Sequence, residues 1–272
     1  MNIAVILAGG TGSRMYSSEA DRSTRSRSAF NETVRSTRSR SALLPKQFLE
    51  VGGRTVVEYS IDAFDSHQSI DEVAVVVHPE WRRRMEEIAE ARKWRKLGKI
   101  VDGGSERYMS SLNAVMAYID YPDDTNLLLH DAARPCVSGA LISRVAEALK
   151  HNEAVGVAVP STDTMWEVHP DMSGEFGAGS AEFEIPRLVA RIPERRLMWR
   201  AQTPQAFRLP LIRDAYQRAL QDPQFRATDD CGVVRRYLPG VKIAVVEGEE
   251  RNMKLTNADD MSLVQKYINS NG

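Results

Sequence analysis

The stretch IAVILAGGTGSRM, Ile3 to Met15, is an apolar run that stops abruptly in glycine. Ile3 to Ala8 reads as a buried strand, and Gly9-Gly10-Thr11-Gly12 as the turn that ends it. Glycines in such a turn reach positive φ and let backbone N–H groups approach an anion. Arg14 follows directly, and Lys46 stands beside Pro45 in Leu44-Pro45-Lys46-Gln47-Phe48. Backbone donors with two cations describe a cradle for phosphates. The turn is not the dinucleotide fingerprint, because the third glycine of G-x-G-x-x-G falls at Met15. Nor is it a P-loop, since no Gly-Lys-Ser/Thr follows.

Outward from this stretch, strands and helices alternate. Thr55 to Phe64 carries Val56, Val57, Ile61 and Phe64 at helical spacing, and Val73 to Val77 is a β-branched strand. Pro79 to Lys96 predicts a charged helix with Trp81, Met85, Ile88 and Ala89 inward. A strand at Lys99–Val101 ends in Asp102-Gly103-Gly104. Glu106–Ile119 is a helix with Leu112, Val115, Met116 and Ile119 apolar, and Leu127–Leu129 a strand running into His130-Asp131. A helix at Ser138–Lys150 and a strand at Val155–Val159 follow. Near-continuous apolar strands between helices mean a doubly wound α/β fold, a mostly parallel sheet covered on both faces. Ligands of such sheets bind beyond the carboxyl ends of the strands, where Gly9-Gly10, Gly103-Gly104 and Asp131 fall. Short strands at Met165–Val168 and Leu188–Ile192 flank a glycine-rich acidic stretch and predict a protruding β-arm. The rest predicts helices at Leu209–Gln221 and Asp229–Leu238 and a strand at Lys242–Val246. A last helix is capped by Asn257, with Asp259 and Asp260 in its first turn.

With 272 residues, 42% hydrophobic, the chain can bury a substantial core and reads as one domain, 1–272. A net charge of -1 gives no global attraction to nucleic acid or an anionic membrane. Cys136 and Cys231 are far apart and form no metal spacing, which suits a reducing cytoplasm. No run approaches membrane-spanning length, and the first apolar run is too short for a signal segment. Residues 16–44 hold an oddity: RSTRSRSA at Arg22–Ala29 recurs unchanged at Arg35–Ala42. Its six arginines alternate with Ser and Thr and leave little to bury, so a mobile insertion is expected.

Read together, LAGGTGSRM, PKQF, DGGSER, HDAARP, PSTDT, AQTPQAF, ATDD and NMKLT resemble, in order and from end to end, the cytidylyltransferases that act on polyol phosphates. The family's nearest members use 2-C-methyl-D-erythritol 4-phosphate or ribitol 5-phosphate. The resemblance implies a Rossmann-like nucleotidyltransferase fold, a homodimer built through the β-arm at residues 164–195, and Mg²⁺ held mainly through CTP phosphates. It implies a reaction of CTP with a polyol phosphate to give a CDP-polyol and pyrophosphate. For methylerythritol phosphate that is a step toward isoprenoid precursors by the non-mevalonate route. For ribitol phosphate it supplies cell-wall or capsule polymers. By motif, Arg14, Lys46 and Lys254 would act on the triphosphate. Ala8, Gly9, Gly10, Gly103 and Ser110 would line the nucleotide. Asp131, Arg134 and Thr228 would face the polyol phosphate, with Thr164 and Arg195 reaching it from the partner subunit. The loop from Met15 to Pro45 and the arm are both longer than the family's. Ala133, ahead of Arg134, favours methylerythritol phosphate; Cys231 in Asp229-Asp230-Cys231 and the start LAGGTGSRM lean to ribitol phosphate.

The chemistry is consistent with the residues. A phosphate monoester, with a second pKa of about 6, is already a nucleophile near neutrality and needs no general base. What it needs is cations around the reacting phosphorus and in-line positioning. Taken singly, each residue has a plainer role open to it. Asp131 could cap a turn, Lys46 could be solvated loop, Thr164 and Thr228 could end a strand and cap a helix, and His130 could be structural. An NAD-dependent dehydrogenase is disfavoured by the missing third glycine. RNA binding through the Arg-Ser repeat is disfavoured by the lack of aromatics for stacking.

Overall fold

A computed structural model describes residues 1–10, 44–170, 187–257 and 259–270. Arg14, the Arg-Ser repeat and the middle of the predicted arm lie outside the described residues. The strands are β1 (Asn2–Ala8), β2 (Glu50–Val51), β3 (Arg54–Thr55), β4 (Glu72–Val77), β5 (Leu97–Asp102), β6 (Asn126–Asp131), β7 (Ala154–Pro160), β8 (Glu167–Pro170), β9 (Arg187–Arg191), β10 (Trp199–Arg208) and β11 (Ala244–Glu247). The helices are α1 (Val56–Asp65), α2 (Arg82–Arg92), α3 (Arg107–Ala117), α4 (Gly139–Ala148), α5 (Leu209–Ala219), α6 (Asp230–Tyr237) and α7 (Asp260–Asn269).

Seven strands form one sheet in the order β11-β7-β10-β6-β1-β4-β5. All neighbours are parallel except β10, which is antiparallel to both β6 and β7. Because side chains alternate along a strand, Ala4, Ile6 and Ala8 of β1 face one layer while Ile3, Val5 and Leu7 face the other. The first layer is closed by α1 and α4 (Val57, Ile61, Phe64, Leu141, Ile142, Val145), and the second by α3, α5 and α6 (Val115, Tyr118, Ile212, Tyr216, Val234). A smaller cluster of Val51, Val56, Ala133, Cys136, Leu255 and Val264 seats α7. Both cysteines are free. The doubly wound, mostly parallel sheet is thus as the sequence predicts.

Several local expectations change. The helix predicted over Pro79–Lys96 begins as a 3-10 turn at Pro79–Trp81 and stops at Arg92. Lys93 takes φ 54°, its N–H bonds the carbonyl of Ala89, and Trp94 turns away to donate to Asp62 at 2.6 Å. The helix predicted to Ile119 ends at Ala117, and Met116, one of its apolar residues, is 47% exposed. Asn257 does not cap the final helix. The Asp260 carboxylate instead accepts from the N–H groups of Thr256 and Asn257 at 2.7 and 2.8 Å. The arm's strands do pair, antiparallel, with Val168 opposite Val189 and Pro170 opposite Arg187.

Strand β10 has no counterpart in the hydrophobic pattern. Its sequence, WRAQTPQAFR, buries Gln202, Thr203 and Gln205, and its register shifts between Gln202 and Ala206 around Pro204, which has no N–H to give. Polar residues survive inside because each finds a partner, as described below.

Phe64 is fully buried and its ring lies 5.1 Å from that of His130. Phe64→Ala should therefore destabilise the protein by about 3–5 kcal/mol. In urea unfolding the midpoint should fall with the slope unchanged.

Candidate active site

Parallel register lines up the carboxyl ends of four strands: Ala8 pairs with Val77, Val77 with Asp102, and Leu7 with Asp131. The loops that leave this edge build the site. Gln47, buried in the 3-10 turn Lys46–Phe48, donates its amide to the carbonyls of Ala8 and Gly10 at 2.6 and 2.8 Å. That bond ties the PKQF turn, and Lys46 with it, to the glycine turn. The charge of Lys46 also reaches Asp260: burial raises that carboxyl, and hydrogen bonds from Asn257 and Thr256, with Lys46, more than offset it.

Gly9, Gly103 and Ser110 meet in one tight contact. A Cβ on Gly9 would stand 2.5 Å from the Ser110 hydroxyl oxygen, and one on Gly103 would stand 3.1 Å from the Cα of Gly9. Only glycine allows the two turns to close on each other this way. Ser110 Oγ accepts from the N–H of Gly104 at 3.2 Å and so holds the second turn against α3.

Asp131 ends β6 almost wholly buried, with its side chain between two cations. Oδ1 accepts from Arg107 Nε at 3.1 Å, and Oδ2 from Lys254 Nζ at 2.7 Å. Burial pushes this carboxyl up, but the charges of Arg107 and Lys254 outweigh it and hold it well below the ordinary carboxylate range. The Asp131 N–H donates to Thr203 Oγ1 at 3.0 Å, and that hydroxyl also meets His130 Nδ1 at 3.1 Å.

Lys254 is aimed by its neighbours. Asn252, fully buried, donates to the carbonyl of Thr203 at 2.8 Å, and its own carbonyl accepts from Arg134 Nη1 at 2.7 Å. The N–H of Leu255 bonds the carbonyl of Ala133 at 2.8 Å. Arg134 thus spans the site wall beneath Lys254, with Nη2 3.3 Å from the carbonyl of Ala201. Its buried Nε, and Oδ1 of Asn252, lack a hydrogen-bond partner among the described residues.

The remaining predicted residues lie apart. Thr228 is exposed, one position before the α6 cap. That cap is Asp229, whose carboxylate accepts from Gly232 N at 2.8 Å, with Gln205 Oε1 accepting from the N–H groups of Asp230 and Cys231. Thr164 and Arg195 are exposed at the root of the arm, Arg195 Nη1 lying 3.5 Å from the carbonyl of Thr162. Among the described residues, no hydrogen bond joins either to Asp131, Arg134 or Lys254. The structure therefore brings together Ala8, Gly9, Gly10, Gly103 and Ser110 on one side and Asp131, Arg134 and Lys254 on the other. Sequence reasoning assigned no role to Arg107, Thr203, Gln202, Asn252 or Asp230, although all sit inside the motifs DGGSER, AQTPQAF, NMKLT and ATDD.

Glycine turns and clustered cations at the strand ends of a doubly wound sheet define an α/β enzyme that handles phosphates there. The family model described as IspD, 2-C-methyl-D-erythritol 4-phosphate cytidylyltransferase, matches residues 34–270. A protein of that name from Thermobifida fusca is 40% identical over 97% of this chain and 92% of its own. The bifunctional ribulose 5-phosphate reductase/CDP-ribitol pyrophosphorylase Bcs1 of Haemophilus influenzae is 33% identical over 99% of this chain, which spans 48% of that protein. The crystal structure of 4-diphosphocytidyl-2C-methyl-D-erythritol synthase from Anaerococcus prevotii superposes with a TM-score of 0.74 at 26% identity, covering 99% of this chain and 96% of that one. The chain belongs to the IspD cytidylyltransferase family and is a nucleotidyltransferase.

His130 has no catalytic position. It is fully buried, Nε2 meets the carbonyl of Arg134 at 3.1 Å, and burial pushes its pKa down to about 4. The unfolded chain, with an ordinary histidine, takes up this proton first as pH falls. Stability is then lost between about pH 6.5 and 4, by about 3 kcal/mol in all. His67, also lowered by burial, adds in the same direction. Urea midpoints should drop across this range, and His130→Asn, though less stable at pH 7, should show a shallower drop.

Proposed function

We propose that the protein transfers the cytidylyl group of CTP to 2-C-methyl-D-erythritol 4-phosphate, as the names of its relatives suggest. The observation that carries this reading is that the glycine turns and the Asp131–Lys254 pair fall at the same carboxyl edge of the sheet. A phosphate oxygen of the polyol phosphate attacks the α-phosphorus of CTP. A new P–O bond forms, the α–β anhydride bond breaks, and pyrophosphate leaves with that electron pair. The attacking phosphate is already ionised, so no proton need be removed. Lys46 and Lys254, joined by Arg14 if its role in the motif carries over, would neutralise charge that grows on the reacting phosphates. The backbone of Ala8, Gly9, Gly10 and Gly103, with Ser110, lines the nucleotide. Asp131 is left to a polyol hydroxyl, and Arg134 supplies a cation beside it for the acceptor's phosphate.

Magnesium fits this site as a passenger of the nucleotide. The described residues contain no group of three metal-ligating side chains, and both Asp131 oxygens already face cations. When bound with the nucleotide, the ion would supply positive charge against the triphosphate. No helix among the described residues is long and apolar enough to cross a membrane. A cytoplasmic setting belongs to the same proposal.

The acceptor decides between two relatives. Ribitol 5-phosphate remains the alternative, favoured by the match to the Haemophilus influenzae protein along nearly the whole chain. Pyrophosphate release from CTP should be fast with methylerythritol phosphate and slow with ribitol 5-phosphate; the reverse order replaces the acceptor. Lys46→Ala and Lys254→Ala should each lower turnover by roughly two to three orders of magnitude, the scale for one transition-state donor. Circular dichroism should show both variants folded.

The arm favours a homodimer. Trp166, Ile192 and Leu197 are 61, 58 and 60% exposed, and Val168, Leu188 and Val189 on the hairpin are open as well. A hairpin this apolar is suited to a second copy of itself. Thr164 and Arg195 would then serve the partner's acceptor. Arg195→Ala should raise KM for polyol phosphate far more than for CTP. Mixed with the inactive Arg14→Ala dimer, it should regain one working site per heterodimer; exchange verified by mass without activity would place Arg195 outside a shared site.

A further inference from the structure

Arg107 opens α3 and reaches two carboxylates at once. Its Nε meets Asp131 Oδ1 at 3.1 Å and its Nη1 meets Asp230 Oδ2 at 2.8 Å. Asp230 is fully buried at the start of α6, and its other oxygen accepts the Tyr216 hydroxyl of α5 at 2.6 Å. The line Tyr216–Asp230–Arg107–Asp131–Lys254 therefore crosses the second layer and ends at the site. The chemistry above uses only its last two members.

Their relation poses a physical difficulty. Lys254 rests on Asp131, yet its proposed role is on the reacting phosphates. Asp131 is 10% exposed at the side chain and Lys254 36%, so the lysine is the partner with room to move. A buried carboxylate stripped of its only cation is strongly disfavoured. Were Lys254 alone in neutralising Asp131, departure toward a nucleotide would be opposed by that penalty. Arg107 remains on the other oxygen, and Asp230 and Tyr216 hold it from behind, so it does not follow.

We propose that Arg107 is a positioning residue that keeps Asp131 neutralised and in place, so that Lys254 can pass from the carboxylate to the phosphates of CTP. This rests on the assignment of Lys254 to those phosphates. Arg107 is not given a contact with substrate. Two other roles compete: a plain fold pin between α3 and α6, or a direct phosphate ligand. Both act without reference to Lys254, and that difference is measurable.

The experiment is CTP binding to the full chain with Mg²⁺, by titration calorimetry, in a cycle with Lys254→Met. Arg107→Met combined with Asp230→Asn removes both charges of that pair, so neither is left alone. It should weaken CTP binding about tenfold when Lys254 is present and less than about twofold in the Lys254→Met background, as coupled residues of one network do. Arg107→Lys, which keeps a cation beside Asp131, should restore most of the affinity. Asp230→Asn alone is the second route, since it loosens the support behind Arg107 and must show the same dependence on Lys254. Equal losses in both backgrounds, or no recovery with Arg107→Lys, overturn the positioning role. If Lys254→Met by itself leaves CTP affinity and turnover intact, the assignment of Lys254 fails first and the inference falls with it.

Discussion

A carboxylate taken out of water must be matched by charge, and Asp131 is the one on which this site depends. It ends a central strand, its backbone N–H is bound by Thr203, and its two oxygens are divided between Arg107 and Lys254. Removing one partner of such a buried pair typically costs about 3–5 kcal/mol. The surrounding loops are arranged so that neither partner is lost in the resting protein. Arg134 and Asn252 fix the backbone beneath Lys254, and Asp230 with Tyr216 fixes Arg107. Exposed ion pairs such as Arg83–Glu87 contribute little by comparison, because water screens them.

The doubly wound sheet explains why these groups meet. Parallel strands in register deliver Ala8, Val77, Asp102 and Asp131 to one edge. Helices on both faces exclude water from the strands, and only the loops beyond the carboxyl ends stay open to ligands. The apolar layers supply the stability that lets a polar cluster with several cations persist there. The glycine contact at Gly9, Gly103 and Ser110 closes one wall, and the loop carrying Lys254 closes the other.

Much of this was legible in the chain, for a physical reason. Strands buried on both faces must be continuously apolar, so β1, β4 and β7 announced themselves, and apolar residues at helical spacing placed α1. The glycine turns and the lysines read as a phosphate site because few other arrangements need those residue types together. Illegible were the features that depend on partners distant in sequence. Nothing in WRAQTPQAFR suggests a central strand, since Gln202, Thr203 and Gln205 are tolerated inside only through bonds to residues 24 to 73 positions away. Arg107, inside the helix read at Glu106–Ile119, gave no sign of its role, because Asp131 and Asp230 stand 24 and 123 positions away in the chain. The end of α2 was missed because Lys93, a non-glycine residue, adopts the left-handed conformation.

Strand β10 also has a mechanical consequence. Gln202 binds the chain at Glu249 and Asn252, Thr203 binds the end of β6, and Gln205 binds the start of α6. One strand at the middle of the sheet thus clasps three of the loops around the site. Side chains such as Lys254 can turn, while the backbone beside them is pinned at Glu249 and Asn252 by bonds to Gln202 and Thr203. Slow exchange of its amide hydrogens with solvent water would track the breathing of the whole sheet rather than the fraying of a loop. The bonds along β10 thus couple opening of this wall to opening of the core.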